Sequence, residues 1–269
     1  IDYTSSASQK AYLDKLIINY RSLLKYENKQ FRFRDSRLSD KSNVLFNINS
    51  ANSCKVWDIS DVLSPKNIEI TSNNGKSSFT YKINGIPEFV AFNVADCYTP
   101  TYIGKIENQN LHAIKNVDMI IISANSFIKH AEILQKLHEQ IDGLQSVIIT
   151  QEEIFNEFSG GRITPLAIRD FVRNVYNKSG QRLKFLMLCG DGSFDNRKIN
   201  LSEKILTYQT NYSLNDISSI VIDDFYALLG ENEGITENDE IVGSLDIAVG
   251  RLPVINKKEA DRLVKLITD

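Results

Sequence analysis

The residues best placed to do chemistry lie in residues 184–197, KFLMLCGDGSFDNR, where Cys189 closes an unbroken apolar run and Gly190-Asp191-Gly192-Ser193 follows at once. Such a run predicts a strand buried on both faces, emptying into a polar turn. In an open α/β sheet, ligands and catalytic groups gather at the carboxyl ends of strands. A nucleophilic Cys189 would need a thiolate and a base within hydrogen-bond reach. The only histidines are His112, His130 and His138, and no spacing aims them at residue 189, so a plain buried thiol is expected. Asp191 and Asp195 could hold a cation, and Gly190 with Gly192 could cradle a phosphate. No Lys with Ser/Thr completes a P-loop, however, and no acidic residue stands where a dinucleotide fingerprint needs one. The turn therefore reads as glycines at positive φ with aspartates bonding backbone amides. A second candidate is the acidic run 231–240, ENEGITENDE: Glu237, Asp239, Glu240 and Asp246 bracket a loop of the kind a hard cation uses, or a solvated loop. Arg162 and Arg251 each follow a glycine beside an expected sheet edge, and Arg251 could pair bidentately with Asp223 or Asp224 to fix loop geometry.

Positioning these groups requires a parallel sheet. Residues 117–122, VDMIII, form an apolar strand, and a helix follows with Ile128, Ala131, Leu134, Leu137 and Ile141 on one stripe. Residues 146–150, SVIIT, are the next strand; residues 151–158 read as a short helix ending at Gly160-Gly161. Thr164-Pro165 caps and opens a helix that faces inward with Ile168, Phe171, Val172 and Val175. Ile220-Val221-Ile222 is expected to return to the sheet, and residues 246–249 to form its last strand, closed by Gly250-Arg251-Leu252-Pro253. Asn256 caps a final helix with Glu259 three residues on, and Ala260, Leu263, Val264 and Ile267 facing inward. Strand and helix alternate as in βαβ units. A helix in that place wants a further strand to cover, so the sheet is expected to continue beyond Asp269.

Residues 1–115 are different: an Asn/Ser/Lys-rich stretch with strand periods and no good helix. Leu16, Ile18 and Tyr20 alternate with Ile17, Asn19 and Arg21, Phe31 and Phe33 with Arg32 and Arg34, and Phe79 and Tyr81 with Thr80 and Lys82. Asn73-Asn74-Gly75, Asn84-Gly85 and Ser64-Pro65 supply turns. An antiparallel sandwich or barrel is expected, with Trp57 as a core anchor. The 269 residues thus divide into a β-rich domain, 1–115, and an α/β domain, 116–269. A net charge of −3 with both signs interspersed argues against nucleic acid and against a membrane surface, and no apolar stretch is long enough to span a bilayer. Cys54, Cys97 and Cys189 are too few for a disulfide framework; a single Cys54–Cys97 bridge is possible, and free thiols are the expected state. The first residues, IDYTSSASQK, lack Met and an apolar core, as expected of a mature chain or part of a longer one.

Taken in order, NQNLH (108–112), EIFNEFSGGRITPLAIRDFVRNVY (153–176), FLMLCGDGSFDNR, TYQT (207–210), DDFYALL (223–229) and DIAVGRLPV (246–254) resemble the gingipain family of cysteine peptidases. More narrowly they resemble its sortases of the type IX secretion system, in which a β domain with a VWDI-type motif precedes the peptidase domain. The resemblance implies a caspase-like α/β fold whose nucleophilic Cys and GHG-turn His lie in later strands, leaving no catalytic residue among these 269. It also implies structural calcium, with Glu240 and Asp246 at the best-matching positions. The parent would be exported to the outer membrane, cell surface or periplasm. There it would remove C-terminal signal domains from exported cargo, attach the cargo to the surface and work beside other secretion subunits. A secreted gingipain-like endopeptidase and a non-catalytic assembly module are the alternatives.

Overall fold

The computed structural model describes residues 16–39, 42–50, 54–210, 221–235 and 241–269. The chain forms two compact units, Ile1–Gly104 and Lys105–Asp269. The first is a sandwich of two four-stranded sheets. One sheet has the order β1 (Lys25–Tyr26), β3 (Asn43–Ser50), β7 (Lys76–Lys82), β6 (Thr71–Asn73); the other runs β2 (Phe31–Phe33), β8 (Phe89–Phe92), β4 (Lys55–Asp58), β5 (Lys66–Ile68). Period-2 alternation sends Phe46 and Ile48 of β3 and Val56 of β4 inward. The aromatic centre is Phe46, stacked on Phe79 at 4.9 Å and meeting Phe89 edge-on at 5.1 Å. Asp58 of the VWDI segment also points inward, where the Tyr81 hydroxyl donates to it across the sandwich at 2.5 Å and Ser60 Oγ at 2.6 Å. Burial pushes the Asp58 carboxyl up, but these two donors outweigh it and leave it below its usual range.

Two expectations for this unit fail. Residues 16–24 form no strand: Leu16, Ile18 and Tyr20 are all exposed, so alternation there lacks a neighbouring strand and a core to bury either side. Trp57 lies on the outer face of β4, opposite the buried Val56 and Asp58, and is 39% exposed. The strand period fixes this, because an inward Asp58 forces its neighbour outward.

The second unit is an α/β domain with an all-parallel sheet, β10 (Ser146–Thr150), β9 (Met119–Ser123), β11 (Phe185–Cys189), β16 (Ala248–Leu252). Helix α1 (Ile128–Ile141) packs against β9, β10 and α4 (Lys257–Thr268), whereas α2 (Gln151–Phe158) and α3 (Pro165–Lys178) pack together. The local signals work as expected at α3 and α4, and α2 adds a capping box not anticipated. Thr150 and Glu153 form a capping box that starts α2, Thr164 Oγ1 accepts from Leu166 N ahead of Pro165, and Asn256 Oδ1 accepts from Glu259 N at 3.0 Å. The expected boundary at residue 115 moves to Gly104, since Leu111 is buried in the α/β core. Val221–Ile222 is not a sheet strand; as β13 it pairs antiparallel with β12 (Tyr208–Gln209) in a separate ribbon, and Ile220 lies outside the described residues. A further small ribbon joins β14 (Gly234–Ile235) to β15 (Ile241–Val242). The last strand begins two residues later than expected and includes Gly250-Arg251-Leu252, which pair with Met187, Leu188 and Cys189 of β11. Burial of β11 is uneven: Leu186, Leu188 and Cys189 are inside, while Phe185 is 41% exposed beside a cavity of about 630 Å³ that Ile267 also lines. Ile141 and Ile267, expected to face inward, are exposed.

Candidate functional site

The winding of the sheet reverses at β9, whose neighbours are reached in opposite directions, so the crevice to inspect lies between the ends of β9 and β11. It is filled. Ala124 N donates to the Cys189 carbonyl, and Gly190, at φ +143°, sits so close to Ala124 and to Glu203 and Ile205 that a Cβ would lie 3.2–3.3 Å from their atoms. Glycine is required there by both its backbone conformation and its surroundings. Gln151, completely buried, seals the same edge: its Nε2 donates to the Lys204 carbonyl and its Oε1 accepts from Leu206 N. Gly192 is also closed in, with Thr207 Cγ2 at 2.8 Å from the place of a Cβ.

Cys189 is fully buried beneath that turn, and burial pushes its thiol up to about 11 against the opposing hydrogen bond with Ser123. The histidines are engaged elsewhere: His112 with Glu157, His130 with Asp261 and His138 with Asp142. A thiol held neutral and without a base is not a nucleophile. Cys54 and Cys97 are also free, the former buried and the latter exposed. Of the turn aspartates, Asp195 accepts from the Arg197 backbone and side chain, and Asp191 lies 4.0 Å from Lys204.

What this edge does carry is a set of ionic and hydrogen-bonded struts. Arg251 donates from Nε and Nη2 to the two oxygens of Asp223, at 2.8 and 2.6 Å, and from Nη1 to the Gly190 carbonyl. One planar cation therefore fastens β16, the Asp223 turn and the β11 turn together, which the fork geometry of guanidinium suits. Tyr226, fully buried, donates to the Leu206 carbonyl. Arg162 takes no part; it is exposed, and the arginine that matters on this side is Arg169 in α3. Arg169 is buried, donates to the carbonyls of Leu228 and Glu233, and lies over the Phe225 ring at 5.2 Å. The helical stripe drawn from apolar residues missed Arg169 because its charge suggested solvent; its position three residues before the inward-facing Val172 was the available signal.

Of the two residues expected to hold a cation, Glu240 lies outside the described residues. Asp246 precedes β16; its Oδ2 accepts from Leu229 N at 3.0 Å and its Oδ1 from the Tyr176 hydroxyl at 3.4 Å. The oxygens of nearby Glu233 accept from Gly230 N and Ser244 N. Among the described residues no group of three or more acidic, His or Cys side chains converges as a metal cage would require.

A caspase-like α/β domain preceded by a β sandwich, with the GRL segment paired to the strand that empties into GDGS, defines the class, and the chain belongs to peptidase family C25, the gingipain family of cysteine peptidases, whose family model matches residues 112–269. Among solved structures it is similar to dimeric latent PorU from Porphyromonas gingivalis, with a TM-score of 0.76 and 27% sequence identity over 91% of this chain. The match covers 25% of that PorU chain, so this chain spans a quarter of its length. None of the curated proteins matches.

Proposed function

We propose that this chain is part of a type IX secretion sortase: a cysteine peptidase that removes the C-terminal signal domain of exported cargo and attaches the trimmed cargo to the cell surface. The observation that carries the reading is the likeness to PorU across both units, sandwich and peptidase domain together, and not across the family domain alone. The nucleophilic Cys and its His base belong to sequence outside residues 1–269, which the isolation of Cys189 from every histidine supports. In that chemistry the thiolate attacks the carbonyl at the cargo–signal junction. The imidazolium protonates the departing amine of the signal domain, and a thioester remains. Attack by a surface amine attaches the cargo, and attack by water releases it. The chain's own contribution is rigidity: the Arg251, Asp223 and Arg169 struts hold the loops at the carboxyl edge of the sheet.

The parent is proposed to be exported and to act at the outer membrane, cell surface or periplasm with other secretion subunits; no helix among the described residues is long and apolar enough to cross a membrane. The test is to incubate the complete polypeptide with a cargo protein bearing its C-terminal domain, with and without a small amine, and to read the products by mass spectrometry. Cleavage at one junction with amine incorporated supports the sortase. Cleavage of unrelated proteins at internal sites would show an endopeptidase, and no thiol-dependent cleavage would show an assembly module.

A structural calcium ion is also proposed, held by Asp246 with Glu240. Asp246 keeps lone pairs beyond those its amide and hydroxyl donors use, and an acidic loop just ahead of it offers the oxygen ligands a hard cation takes. Calcium at ~100 times its dissociation constant should raise stability by about 2.7 kcal/mol. A thermal melt that responds equally to magnesium and calcium, or to neither, removes the idea.

A further inference from the structure

We propose that the outer face of the β2-β8-β4-β5 sheet is a docking site for an acidic polypeptide segment that inserts one aromatic or branched aliphatic side chain beside Trp57. In a two-sheet sandwich the outward residues of each strand normally meet water and are polar. Here the register brings Arg32, Val90 and Trp57 into one cross-strand row, and the neighbouring pair is Phe92 with Lys55. Trp57 meets Phe92 edge-on at 5.0 Å, and the two form a wall and floor of a concavity of about 290 Å³. Gln30, Arg32, Val62 and Cys97 stand at its rim, and Val62 is 72% exposed with Leu63 beside it at 92%. That volume is that of roughly ten waters and falls just short of what a drug-sized ligand or cofactor occupies, so it suits a side chain. Trp and Arg at an open concavity, with apolar residues exposed around it, are the composition of an interface hot spot.

Charge selects the occupant. Arg32 lines the concavity, and Lys55 is the cross-strand partner of Phe92 in its floor. The nearby carboxylate, Glu88, reaches Arg32 only at 3.9 Å, and Lys55 has no ion-pair partner among the described residues. The indole N–H of Trp57 has no acceptor among the described residues either, and a peptide carbonyl beside the inserted side chain would supply one. A positive rim over an apolar floor draws an acidic segment and disfavours a basic one. This reading concerns the sandwich alone and does not depend on the sortase assignment.

The sequence supplies two reporters in the right place. Trp57 is the only tryptophan, and Cys97 is the exposed cysteine, the other two being buried. Three synthetic peptides of equal length are added to the full chain: a Phe flanked by Glu and Asp, a Phe flanked by Lys, and the acidic peptide with Ala in place of Phe. Expected are a shift in tryptophan emission and at least fivefold slower alkylation of Cys97 with the first peptide alone. In the doubly reversed Arg32→Glu, Lys55→Glu chain, affinity for that peptide should fall tenfold or more, with the melting temperature unchanged because both side chains are exposed. Trp57→Ala should abolish the protection of Cys97. Equal protection by the basic peptide or the Ala peptide, or no protection by any, overturns the proposal. Stronger protection by an uncharged alkyl glucoside than by the acidic peptide also overturns it and assigns the face to lipid.

Discussion

At the scale of single residues, the strongest acceptor in the α/β unit is Glu157 near the end of α2. Its carboxylate takes the backbone amides of Leu111 and His112, both at 2.8 Å, together with Gln109 Nε2 and His112 Nδ1, and the His112 ring stacks on Phe158 at 4.3 Å. Burial raises this carboxyl, but the four donors overcome it and hold it down to about 2. The folded value lies below the unfolded one, so the stabilisation is complete above about pH 4.5 and is lost as pH falls towards 2. Glu157→Gln is expected to lower stability at pH 7 by on the order of 2 kcal/mol and to flatten the acid limb of the stability curve between those pH values, as followed by chemical denaturation. A parallel acid limb in the variant would show that other carboxylates carry it. Cys189 makes the opposite case: iodoacetamide at pH 8 should label Cys97 and leave Cys189 unmodified until the chain unfolds, read by mass spectrometry. The inertness of Cys189 could be read from the sequence because no histidine was spaced to serve it. Glu157 could not, since its donors come from residues 109–112, more than forty positions earlier, and nothing in a linear pattern marks a carboxylate that collects distant amides.

At the scale of elements, helices were the most legible parts because their caps are local. Thr164 with Pro165 and Asn256 with Glu259 each fix a start within four residues of chain. Strands depend on distant partners. Residues 16–24 alternate without pairing, Val221–Ile222 finds β12 instead of the main sheet, and β16 begins at Ala248, where its pairing with Phe185 of β11 starts. Asp223→Asn should cost roughly 2 kcal/mol by leaving a half-buried guanidinium without its charge partner, and Arg251→Lys should cost about as much because an ammonium cannot span all three acceptors. Equilibrium unfolding of the two variants checks this; if both sit within 0.5 kcal/mol of the parent, the strut is ornamental. The filled crevice beside Gly190 was legible only in part. The glycines announced a tight turn, whereas the packing of Ala124 and Ile205 into it is a tertiary fact.

At the scale of the whole molecule, the two-part organisation followed from the change of hydrophobic period, and the family resemblance covered both parts. The position of the boundary did not, because residues 105–113 look like linker while Leu111 is core. A polypeptide of residues 105–269 is expected to melt roughly 6–12 °C above one of residues 116–269, which loses a buried leucine and leaves Glu157 without its donors. Equal melting temperatures would return the boundary to residue 115. The same fastening bears on mechanics. A tension applied to the chain ahead of Gln109 meets parallel hydrogen bonds converging on one carboxylate, with Lys178 holding the His112 carbonyl alongside, before any strand of the sheet is loaded. In a force-extension experiment the α/β unit should resist as a bolted plate, yielding first at α2, and Glu157→Gln should lower that first rupture force while the later peaks stay where they were.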